Sequence, residues 1–460
     1  MTSLVLDRAE SPLRTAGFVA IAGIAIGVCY MLSPLSVLCL LAIVPLFRWA
    51  GRGLDENERR WLMAILITAV VTRVLIILGL FLVTDHTQVP FGSLFGDEYY
   101  FIRRSLWMGN AALGLPMNRA DFVYAFDDYS RTSFLYVLAM LQMFLGQSPY
   151  GVHLFNILCY VGGSIVFYRL IRPSYGRLPA LLGLVMLLFL PTQFAWSLSA
   201  LKEPLYFLVT AVGIAAAVAV GRPGPWMKRL GAVAVLVASA YAAQGIREGG
   251  FVMAGAGAVG GLALSLMVRR PRFAIAFVLA TLVVAPLYFS KGTVKDRMLK
   301  GVRQVVEVHW GHVNTPGYVF TIMDGSFYMR KAAIAEMTLG QTARYFIGSF
   351  VGYVVVPLPW KIQSRAALTY LPEQMVWYLM VLLVPFGMAA GFRRDSLLTL
   401  LLATCAATAV VLVAITSGNI GTLVRHRGLA LPYLLWFSVL GACEVVAYLT
   451  APKQDVHAHH

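Results

Sequence analysis

Two acids followed by two bases, in Gly96-Asp97-Glu98-Tyr99-Tyr100-Phe101-Ile102-Arg103-Arg104, directly follow the third long apolar run of the chain. Adjacent carboxylates near a membrane surface can supply a general base, a metal ligand, or a charge pair for the positive end of a helix. Lys202-Glu203-Pro204 opens another apolar run, where an acid and a proline equally suit the first turn of a helix. Gln244 to Gly250 places Arg247 and Glu248 in a glycine turn, as a site or as a self-contained salt bridge. In Gly418-Asn419-Ile420-Gly421-Thr422-Leu423-Val424-Arg425-His426-Arg427, glycines allow backbone N–H groups to approach an anion. Arg425 and Arg427 could clasp phosphate oxygens with their forked donors.

Other polar residues have plainer readings. Val294 to Val308 sets Val294, Met298, Val302, Val305 and Val306 apart from Lys295, Arg297, Lys300 and Arg303, the pattern of a basic amphipathic helix on a membrane surface. Lys291 or Lys295 could reach a donor phosphate from it. His309, His312, Asp324 and Glu336 lack metal-site spacing. Arg73 stands midway through an apolar run, where an unpaired charge costs about 2.5–3.5 kcal/mol, so it is expected to face protein. Asp121, Asp127, Asp128 and Arg131 fit a solvated surface, and the small residues of Gly249 to Gly261 fit close helix packing.

These residues must be positioned by membrane helices. With 59% hydrophobic and 13% charged residues, the chain is too apolar for a soluble globule, in which about 45–50% is usual. Twelve runs have the length of a span: 15–31, 33–48, 61–83, 150–171, 178–196, 203–221, 229–245, 249–268, 272–290, 372–391, 396–417 and 428–449. The expected fold is all-α, one polytopic membrane domain over residues 1–460 with about twelve transmembrane helices. Arginine and lysine clusters in alternate short loops place those loops and the N-terminus in the cytoplasm. The long connections 84–149 and 291–371 then lie outside, and their apolar stretches 133–146 and 345–357 are expected to be juxtamembrane helices. Cys29, Cys39, Cys159, Cys405 and Cys443 all fall in predicted spans, spaced for neither metal nor disulfide, and the first run is expected to be an uncleaved anchor. A net charge of +16 without any nucleic-acid motif points to lipid phosphates rather than nucleic acid.

In motif order the chain resembles the integral-membrane glycosyltransferases of the GT-C fold, in particular the bacterial protein-mannosyltransferase and aminoarabinose-transferase-like branch. The resemblance covers roughly residues 61–449. It rests on the acid pair Asp97-Glu98 in the first long external loop and on Phe144-Leu145-Gly146 at the end of a juxtamembrane stretch. Ser197 to Glu203 stands at the external start of a helix, followed by Arg247-Glu248-Gly249 and by Arg425-His426-Arg427 before Pro432. Glu203 stands where the family more often has aspartate, and Lys202 has no counterpart in its pattern.

The resemblance implies inverting transfer of a sugar from a polyprenyl-phosphate donor to a hydroxyl of a glycan, lipid or protein acceptor. The reaction would take place on the periplasmic face of a bacterial inner membrane. Asp97 is the expected base, with Glu98 positioning the acceptor or acting in its place, and Glu203 is the third catalytic candidate. Arg425, Arg427, His426, Lys202, Arg247 and Lys291 are the candidates for the donor phosphate, and Tyr99, Arg103 and Arg104 for further substrate contacts. No cofactor is specified, and a divalent metal is left open. An O-antigen-type polymerase or ligase is the nearest alternative, and a transporter or flippase for a lipid-linked or anionic substrate the more distant one. The absence of an internal repeat and the crowding of charge on one face favour the enzyme.

Overall fold

A computed structural model describes residues 15–23, 33–128, 131–290, 292–315, 318–361, 368 and 370–450. The protein is all-helical, and among the described residues the only β pairing is an isolated bridge between Val319 and Asn419. The first helices are α1 (Pro34–Ala50), α2 (Glu56–Val83), α3 (Gly96–Ala112), α4 (Arg119–Ala125), α5 (Ser133–Leu145) and α6 (Pro149–Tyr175). Next come α7 (Arg177–Phe189), α8 (Pro191–Leu198), α9 (Glu203–Gly221), α10 (Trp226–Ile246), α11 (Gly257–Arg269) and α12 (Pro271–Phe289). The last are α13 (Gly292–Val313), α14 (Gly325–Met329), α15 (Leu339–Val355), α16 (Leu371–Arg394), α17 (Ser396–Thr416), α18 (Ile420–Arg427) and α19 (Leu431–Thr450).

Among the described residues nine helices are long and apolar enough to cross a bilayer, so the protein is membrane-embedded. Each coincides with one of the twelve apolar runs. The run at 178–196 is split instead, because Pro191 starts α8 at a bend of 60° from α7. The run at 33–48 forms α1, which at 17 residues is short of the roughly 20 that span a hydrocarbon core. Of the first run, 15–23 is helical and 24–31 lies outside the described residues. The stretches 133–146 and 345–357 form α5, of 13 residues, and the end of α15, of 17.

Backbone contacts divide the chain into two compact units. The first takes in Met1–Gly163, Ala195–Leu208 and Gly245–Arg247. In it α3 packs on α4 and α5 around Phe101, Ile102, Phe134, Leu138, Val152 and Leu201. Arg73 is fully buried, as its place in an apolar run requires. Its Nε donates to Ser197 Oγ at 2.8 Å and one terminal nitrogen to Ala69 O at 3.0 Å.

The second unit takes in Ser164–Phe194, Val209–Gln244 and Glu248–His460. Glycines set its tightest contacts: Gly387 and Gly441 bring the backbones of α16 and α19 together with no room for a Cβ. Gly257 and Gly261 do the same for α11 against Cys405 and Leu401 of α17. Amphipathic α13 buries Val294 and Val306, as its sequence pattern predicts; Lys291 and the side chains of Lys295 and Met298 lie outside the described residues. The last carbonyls of α17, which a helix end leaves without internal partners, are taken by side chains of α13 and α15. Tyr345 donates to Ile415 O, His312 to Thr416 O at 2.8 Å, and His309 Nδ1 to Ser417 O at 2.9 Å. Burial pushes the His309 imidazole down to about 4, so it is neutral there and its Nε2 accepts from Tyr328 Oη at 3.1 Å.

Candidate functional site

Asp97 and Glu98 form the first turn of α3, where carboxylates meet the positive helix end. They point to different environments: Asp97 is exposed, whereas Glu98 is completely buried. Leu94 N–H donates to Glu98 Oε2 at 3.2 Å, while Oε1 has no hydrogen-bond partner. Burial pushes the Glu98 carboxyl up to about 7, against the opposing pull of the backbone N–H groups of Leu94, Phe95 and Ala200.

Facing Glu98 is a histidine that composition and motif spacing do not mark. His153 lies in the first turns of α6, also completely buried, with Nε2 3.7 Å from Glu98 Oε2. Its Nδ1 donates to Leu198 O at 2.8 Å, and one turn on, Asn156 Nδ2 donates to Ser199 O and Leu201 O, each at 2.7 Å. Residues three apart share a helix face, so His153 and Asn156 read the same piece of backbone. That piece is the non-helical break 199–202 between α8 and α9. Buried irregular backbone must be satisfied from within the protein, since each unmet carbonyl would cost about 1–3 kcal/mol. The two side chains supply three of the bonds that this break needs.

The break delivers Lys202 and Glu203 to the start of α9. Glu203 Oε1 pairs with Arg247 at 3.6 Å, so the glycine turn after α10 finds its acid at Glu203 rather than at its neighbour Glu248. Beside the acid pair, Phe95 stacks on Trp196 at 4.4 Å and Tyr99 on Phe91 at 4.9 Å, and exposed Arg103 lies over the Trp107 ring at 4.3 Å. The first unit therefore holds Asp97, Glu98, Lys202, Glu203, Arg247, Tyr99 and Arg103 together with two residues that sequence reasoning missed, His153 and Asn156.

Arg104 belongs to the same unit but is directed inward as a structural residue. Its guanidinium is buried and donates to Ala125 O at 3.2 Å, to Asp127 O and to Tyr100 Oη, closing the end of α4.

Arg425, His426 and Arg427 belong to the second unit, on α18. Arg425 and His426 are half-buried, and Arg427 is buried. Arg427 donates from Nε to Tyr353 O at 2.9 Å, from one terminal nitrogen to Gln374 Oε1 at 2.7 Å, and from the other to Tyr353 O and Val356 O. Burial lowers its guanidinium to about 10, which leaves it charged at neutral pH. The cavity beside it, about 20 Å³ and lined by Gln193, Glu373, Gln374 and Trp377, has room for about one water. Arg427, expected with Arg425 to contact a donor phosphate, thus holds the carbonyls of Tyr353 and Val356 and the amide of Gln374. The glycine loop before it is equally occupied: Asn419 Oδ1 accepts from Gly421 and Thr422 N–H, and Ile420 N–H donates to Tyr318 O.

Cys39, Cys159 and Cys405 are buried free thiols, and among the described residues no three His, Cys, Asp or Glu side chains gather to hold a metal ion. No protein-family model, curated protein or solved structure matches the chain.

Proposed function

We propose that the protein is a GT-C-like membrane glycosyltransferase with about twelve spans, which moves a sugar from a polyprenyl-phosphate donor to an acceptor hydroxyl. The reaction takes place at the periplasmic face of a bacterial inner membrane. The observation that carries this reading is the packing of the acid-bearing N-terminus of α3 on the break that delivers Lys202 and Glu203, in one unit with Arg247. A transferase needs a carboxylate reachable by an acceptor hydroxyl, and exposed Asp97 is such a group. It also needs positive charge for a departing lipid phosphate, which Lys202 and Arg247 of the same unit can supply. Inverting displacement uses one base and no covalent intermediate, which suits a site whose single exposed acid is backed by a buried one.

The test is transfer in proteoliposomes from synthetic polyprenyl-phosphate sugars, followed by the appearance of free polyprenyl phosphate and glycosylated acceptor. Product formation by the wild type and its loss in Asp97→Asn is the expected result. Movement of intact donor across the bilayer with no product would overturn the reading in favour of a transporter, and turnover only with a lipid pyrophosphate donor would favour a polymerase or ligase.

A further inference from the structure

The Glu98 carboxyl and the His153 imidazole are each completely buried, face one another, and leave Glu98 Oε1 and His153 Nε2 without hydrogen bonds. Neither side chain has another ion-pair partner among the described residues. The titratable neighbours are Asp97 on the same helix and Tyr150, whose ring centre is 6.2 Å from that of His153. With Nδ1–H committed to Leu198 O, the neutral imidazole presents its lone pair at Nε2 toward the carboxyl. The 3.7 Å separation is longer than a hydrogen bond, and closing it by roughly half an ångström would let a protonated Glu98 donate to Nε2. The oxygen nearest Nε2 is Oε2, which also accepts from Leu94 N–H, while Oε1 stays idle. Buried polar atoms are almost always satisfied, so an idle imidazole nitrogen beside a half-satisfied carboxyl marks a pair arranged for use.

We propose that His153 is a positioning residue of the transferase site, holding the carboxyl of Glu98 on one ring nitrogen and the carbonyl of Leu198 on the other. It thereby fixes the turn that presents Asp97 against the break that presents Lys202 and Glu203. One proton belongs to the Glu98–His153 pair, and the imidazole determines how firmly the carboxyl keeps it. Asn156 completes the frame by holding Ser199 O and Leu201 O. The assignment rests on the proposed function for its catalytic consequence, while the proton-holding pair is a property of the fold alone.

Infrared titration of the full-length protein, following the C=O stretch of a protonated carboxyl, tests the pair without reference to any activity. We expect a band in the wild type that disappears as pH rises through neutrality, is absent from Glu98→Gln, and in His153→Asn shifts both in frequency and in its midpoint, by about one pH unit or more. An unchanged band and midpoint in His153→Asn, or a band that survives in Glu98→Gln, would overturn the pairing. His153→Asn offers an amide N–H to Leu198 O and so preserves that bond to the break, which guards against loss of the fold. In the transfer assay the same variant should lose about a hundredfold in kcat with little change in KM for the donor. Wild-type kcat in His153→Asn would overturn the positioning role. If the wild type transfers no sugar at all, the proposed function fails, and the infrared result still decides the pair.

Discussion

Arg427 and Glu98 are both ionisable groups buried in helical surroundings, yet their own units treat them differently. Every nitrogen of Arg427 has an acceptor, in the carbonyls of Tyr353 and Val356 and the amide of Gln374, and the adjoining cavity admits little more than a water. Glu98 keeps Oε1 idle, and its Oε2 lies 3.7 Å from an imidazole nitrogen that is idle too. A buried charge whose bonds are all met by the surrounding protein holds a loop in place, and removing it exposes that loop to the cost of unmet carbonyls. A buried acid facing an unspent base has its proton left to negotiate. The contrast separates charge that builds the fold from an acid that, under the proposed function, is held for chemistry.

The strongest test of that contrast lies next to Glu98. Asp97→Asn should lower the rate of sugar transfer by about 10²–10⁴-fold, the usual contribution of a general base, while the melting temperature stays at the wild-type value. A comparable loss of stability would place Asp97 with the fold-building charges. In the other unit the outcome should be reversed. Arg427→Leu leaves the Tyr353 and Val356 carbonyls unmet at about 1–3 kcal/mol each, so thermal unfolding in detergent should show destabilisation of several kcal/mol. An unchanged melting curve would refute the structural assignment.

The pH dependence of stability sharpens the comparison further. The Glu98 carboxyl is raised from its ordinary 4.5 to about 7, so the folded state holds this proton more tightly than the unfolded chain does. Stability from this group is fully present below about pH 4.5, falls as pH rises toward 7, and levels off above it, a change on the order of 3 kcal/mol. Glu98→Gln should flatten that slope in unfolding curves recorded across the same window, and a slope identical to wild type would remove Glu98 as its source. The smallest effect is expected at Arg247, which is half-buried. Arg247→Ala should weaken donor binding about tenfold, or about 1.4 kcal/mol, and leave acceptor binding alone. Equal weakening of both, measured by equilibrium binding, would place Arg247 outside the donor phosphate site.

Much of this architecture is legible in the sequence because lipid enforces it. Apolar runs of span length must become helices, and nine of the twelve do so at full length. The bend at Pro191 and the short α1 were less legible, since hydropathy measures how apolar a run is and not where its axis turns. Arg73 was readable for a related reason, as a charge in a span has few options but a protein partner. Asp97 and Glu98 announced themselves as a pair, but their opposite exposures did not, because adjacent helix positions differ by about 100° and only packing decides which turns inward. Arg425 and Arg427 look alike in sequence for the same reason. His153 and Asn156 stayed hidden inside an apolar run, where single polar residues resemble core filler. Their spacing of three, on the face turned to a stretch rich in serine before Lys202, was the available signal.

The glycine contacts between α16 and α19 bear on motion. Where Gly387 and Gly441 let two backbones touch, neither helix can rotate or slide past the other without collision, so the pair must move as a single rod. Gln374, near the start of that rod, grips the guanidinium that in turn grips Tyr353. A displacement of α15 would therefore drag the rod with it, and α18, which carries Arg425, would travel as cargo.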